Sequence, residues 1–75
     1  MSDDRLAGKV QDAMTILHWE LRDLFINTLA YGSAGTEAQV AEHLRTGNTL
    51  NAAQAAVIIA TLNDALMNID SPFRV

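Results

Sequence analysis

His18 and His43 are the chain's two histidines, and the sequence holds no cysteine. Metal chemistry would have to join an imidazole to Glu20, Glu42 or Asp23. No histidine pair has the one-turn His-x-x-x-His spacing that sets two ring nitrogens on one helix face. The spacing points instead to histidines that face solvent or contact a helix cap. Glu20 and Asp23 lie three apart on one helix face, in outline a general-acid pair, but no nucleophile or glycine-rich loop accompanies them. Ser33 stands between Gly32 and Gly35 without the Gly-x-Ser-x-Gly frame and without a nearby base. No catalytic, cofactor-binding or metal-ligating residue is therefore expected, and the chain does not read as an enzyme.

Recognition chemistry is better represented. Trp19 falls off the main apolar spacing of its helix, beside His18 and Glu20. It either covers the edge of the core or anchors an interface, where Trp and Tyr are enriched. Phe73 poses the same choice near the C-terminal end: it folds back onto the core or docks on a neighbour. With Leu21, Phe25 and Tyr31, these two form the candidate protein-interaction set.

The elements that must position them are all helical. Val10, Met14, Leu17, Leu21, Leu24, Thr28 and Tyr31 alternate spacings of four and three, an a/d series that predicts one long helix over 9–31. A second apolar group, Ile16, Trp19, Phe25, Ile26 and Leu29, widens the stripe, so that one stripe suits a core and the other a neighbour. Gly32 and Gly35 end that helix. Thr36 and Gln39 then have capping-box spacing, and a short helix follows that buries Val40, Ala41 and Leu44 before Gly47 stops it. Asn51 and Gln54 repeat the box at the head of a third helix reaching about Asn68. Residues 46–63 carry no charge, and this third helix is apolar on every side, a pattern that calls for burial all round. Pro72 forbids its continuation. The expected organisation is a flexible N-terminus over 1–8, a compact all-α three-helix domain over 9–69 with the third helix central, and a tail over 70–75.

Composition sets the partners. Seventy-five residues make one domain with little surface to bury, and such chains usually add disulfides, a metal or oligomerisation. Without cysteine, oligomerisation is the staple that remains. Five basic residues against nine acidic give a net charge of −4, which argues against DNA and against anionic membrane surfaces. No secretory leader or continuous apolar span is visible, so a cytoplasmic setting is expected.

The order from Leu21 onward, with Thr36-Glu37-Ala38-Gln39-Val40-Ala41-Glu42-His43-Leu44 between two turns, resembles the tri-helical core of helix-turn-helix and winged-helix proteins over residues 20–67. The resemblance implies a short Thr-x-x-x-Val-Ala-x-x-Leu helix before a recognition helix, with Asn51 and Gln54 at base edges and Arg45 on phosphate. The third helix departs from that pattern because it offers Ala, Val and Ile where base-reading helices carry polar side chains.

The function expected from these residues is a small non-catalytic oligomeric module, most simply a homodimer, that acts as regulator, adaptor or phage-type inhibitor by binding another protein. One alternative is a dimeric helix-turn-helix DNA-binding regulator. Another is a binder of a small anionic ligand, such as a nucleotide, at a subunit interface.

Overall fold

The computed structural model describes residues 2–46 and 51–75 of the chain. The described residues form four α-helices and no strand: α1 (Ser2–Leu17), α2 (Leu21–Leu29), α3 (Glu37–Thr46) and α4 (Ala52–Asn68). Each of α1 and α2 packs against both α3 and α4. The all-α expectation holds, but the count is four rather than three. The helix expected over 9–31 is two helices, and the first begins at Ser2 rather than at residue 9.

The break has a local cause. His18 adopts a left-handed conformation, φ 59°. The Trp19 amide then donates to Met14 O (2.8 Å) and the His18 amide to Thr15 O (3.2 Å). This crossed pair is the Schellman closure, which satisfies carbonyls at a helix end. Two residues later α2 starts with Glu20 as N-cap, whose amide donates to Asp23 Oδ2 (2.9 Å). The two carboxylates read as an outline acid pair thus belong to a helix start. A carboxylate there also meets the positive end of the helix dipole.

The same closure ends α2 and α4. At Gly32 (φ 106°) the Ser33 amide reaches back to Thr28 O (2.9 Å), as expected for a glycine cap. At Asp70 (φ 59°) the Ser71 amide reaches Leu66 O and the Asp70 amide Met67 O, both 3.0 Å. The two capping boxes are also present. The Thr36 amide donates to Gln39 Oε1 (2.9 Å) and the Gln39 amide to Thr36 Oγ1 (3.1 Å). At α4 the corresponding distances are 3.0 Å to Gln54 Oε1 and 2.8 Å to Asn51 Oδ1. Gly35, φ +104°, lies between the two boxes, where an added Cβ would run into the Gln39 and Gln54 side chains. The expected stop at Gly47 and the turn over 47–50 lie outside the described residues.

The core is aliphatic: Val10, Ala13, Met14, Leu24, Ala34, Val40, Ile58, Leu62 and Leu66. Of the a/d stripe, Val10, Met14, Leu24 and Thr28 are buried and Leu17 and Leu21 half-buried. Its last member, Tyr31, is exposed. Thr28 and Thr61 are buried without leaving a bare hydroxyl, because each donates back along its own helix, to Phe25 O (2.6 Å) and Val57 O (2.7 Å). α4 supplies Ile58, Leu62 and Leu66 at spacings of four, all fully buried. It is not surrounded on all sides, however. Ala52, Ala53, Ala56 and Ala60 are exposed, so the uncharged outer face is made of alanine, which costs little in water and favours helix. No helix of the described residues is long and apolar enough to cross a membrane.

The segment after α4 folds back. Asn63 Oδ1 accepts from the Val75 amide (2.7 Å), Asn63 Nδ2 donates to Val75 O (3.4 Å), and Phe73 and Val75 pack against the core.

Candidate interaction cleft

The ends of three helices meet around an open cleft of about 330 Å³. The end of α1 and the break after it supply Leu17 and Trp19, and α2 and its C-terminal turn supply Asn27 and Tyr31. Thr61, Asp64, Ala65, Asn68 and Ile69 come from α4 and its cap. The Schellman closure at His18 is what places Trp19 here. In a continuous helix it would lie one position on from His18 along the same cylinder. After the reversal it packs against the core and is only partly accessible.

Across the cleft the Tyr31 hydroxyl donates to Asp64 Oδ2, joining the turn after α2 to the middle of α4. The hydrogen bond to Asp64, the desolvation of the ring and the carboxylate's negative charge all oppose loss of the phenol proton. Together they hold Tyr31 above its ordinary value of 10.0. Asn27 Nδ2 is turned to its own helix, donating to Asp23 O (2.7 Å).

Of the five residues expected to mediate interaction, the fold brings Trp19 and Tyr31 together in the cleft. Leu21 and Phe73 are half-buried against the core, and Phe25 is half-buried on α2. The large apolar side chains that face outward are Ile16, Ile26, Leu29, Tyr31, Met67 and Ile69, each between 38% and 57% exposed. Ile16, Ile26 and Leu29 belong to the second stripe of the sequence and face outward, whereas its other members, Trp19 and Phe25, are partly buried. Met67, Ile69 and Asp64 are not singled out by sequence reasoning. A signal existed for the first two, since neither falls on the Ile58–Leu62–Leu66 spacing that fills the core.

The residues of the DNA-reading alternative are occupied within the chain. Arg45 is ion-paired to Glu42 one turn before it, and Asn51 and Gln54 cap α4. His18 is exposed, but His43 is only 2% exposed, so its ring does not face solvent. The reason is its spacing: it lies three residues after fully buried Val40, on the inner side of α3. Among the described residues no three His, Asp or Glu side chains form a group that could hold a metal ion. No protein-family model, curated protein or solved structure matches this chain.

Proposed function

We propose that the chain is a small non-catalytic interaction module that self-associates and binds another protein through the outer face of α2 and the end of α4. It would act as a regulator, adaptor or inhibitor by covering a surface of its partner. The observation that carries this reading is the set of large apolar side chains left in water there. Ile26, Leu29, Met67 and Ile69 are each more than half exposed in a chain of only 75 residues. Single exposed leucines are ordinary, but several large apolar residues left exposed in so short a chain suit an interaction surface. Trp19 and Tyr31 in that cleft are of the types that anchor interfaces. Mutual cover by a second copy would also supply the burial that so short a chain lacks.

Immobilised protein exposed to lysate of its source cells tests this. A specific protein should be retained by the parent and lost from the Ile26→Lys/Leu29→Lys double variant, with circular dichroism showing both equally helical. Retention of nothing, or equal retention by both, would refute the reading.

A further inference from the structure

We propose that the cleft receives a cationic side chain, the guanidinium of an arginine or the ammonium of a lysine, presented by a partner protein. The inference rests on the interaction reading only for the source of the cation. Its size comes first. A volume near 330 Å³ lies at the small end of ligand pockets, which run from about 300 to 1,000 Å³, so it admits one long side chain rather than a helix.

Its charge comes second. Asp64 is the one formally charged side chain lining the cleft, and no Lys, Arg or His lines it. Tyr31 occupies Asp64 Oδ2, while Oδ1 has no partner among the described residues. Asn27 Nδ2 gives one of its two N–H groups to Asp23 O, and its carbonyl oxygen is a further acceptor at the cleft. Asp64 Oδ1 and the Asn27 carbonyl oxygen therefore offer acceptors to a guanidinium or ammonium, which carries donors alone.

The walls come third. Trp19 and Tyr31 both line the space, and aromatic rings attract cations held against their faces. A net charge of −4 adds a long-range field of the same sign. An anionic ligand such as a nucleotide would meet Asp64 with none of these advantages.

Trp19 is the chain's only tryptophan, so its fluorescence reads the cleft directly. The probe is the blocked tripeptide acetyl-Gly-Arg-Gly-amide, titrated into the full chain beside the citrulline tripeptide, which has nearly the same shape and no charge. The arginine peptide should change Trp19 emission saturably in the millimolar range, with the citrulline peptide about tenfold weaker or more. Added salt should weaken the arginine response. Asp64→Asn should cost a similar factor, whereas Tyr31→Phe, which keeps the carboxylate, should still bind.

No saturable response, or equal responses to the two peptides, overturns the proposal. So does an Asp64→Asn variant that binds like the parent. Should Asp64→Asn lose helix content, the contrast between the two peptides on the parent protein decides alone. Because the tripeptide needs no macromolecular partner, its failure is separable from failure of the lysate experiment on α2.

Discussion

Tyr31 and Asp64 are 33 residues apart and meet only because α4 packs against α2. Neither residue's local sequence announces the other, so this pair was not legible from spacing, whereas the apolar type of Trp19 was. Their contact has a measurable consequence. Tyr31 is an acid whose proton is held more firmly in the folded state than in the unfolded chain. Its contribution to stability is therefore fully present below the ordinary tyrosine value of 10.0 and is lost as pH rises through the raised one. Since Tyr31 is the only tyrosine, an ultraviolet absorbance titration reports it alone. The midpoint should lie above 10.0 in the parent and fall back toward it in Asp64→Ala. A parent midpoint at or below 10.0, or one unchanged by Asp64→Ala, would show that the contact is not maintained in solution.

At the scale of elements, His18 decides the architecture. The a/d spacing through Val10, Met14, Leu17, Leu21, Leu24 and Thr28 identifies which side chains face inward, and all six are buried or half-buried. It does not reveal that the helix stops after Leu17, because the series keeps its phase across the break. Glycine usually marks a left-handed cap, as at Gly32, and here histidine and aspartate occupy two of the three. The Glu20–Asp23 spacing was the signal available for a new helix start. The apolar character of α4 was legible too, but not that alanine would provide its exposed face.

Two substitutions at residue 18 separate a broken helix from a continuous one. A non-glycine residue in the left-handed region costs roughly 1–2 kcal/mol, only partly offset by the entropy glycine adds to the unfolded chain. His18→Gly should therefore melt at or above the parent temperature. His18→Val, β-branched at a positive φ, should melt lower by several degrees, given about 4–8 °C per kcal/mol for a domain of this size. In a continuous helix the order would reverse, since interior glycine costs about 1 kcal/mol relative to alanine and valine costs less. Thermal melts of the two variants followed by circular dichroism give the order directly.

For the whole molecule, one aliphatic core closed by four helices must sustain the fold without disulfide support. Leu62 is fully buried midway along α4, which packs on both α1 and α2. Truncating such a side chain costs about 2–5 kcal/mol, against a total of about 5 kcal/mol or somewhat more for a small domain. Leu62→Ala should therefore be largely unfolded at room temperature, while Lys9→Ala, exposed on α1, should melt with the parent. A Leu62→Ala melt within a few degrees of the parent would contradict the central place given to α4. The same shortage of burial leaves the outer faces of α2 and the α4 end in water, and the claim that protein covers them is tested most directly by contact. A photo-crosslinking residue placed at Leu29, with Lys9 as the control position, would be activated in source cells and its adducts weighed. Leu29 should give discrete adducts, one with a second copy of the chain and one with a different protein, both absent at Lys9. Adducts no more abundant at Leu29 than at Lys9 would show that this face stays in water and that the chain does not work by binding through it.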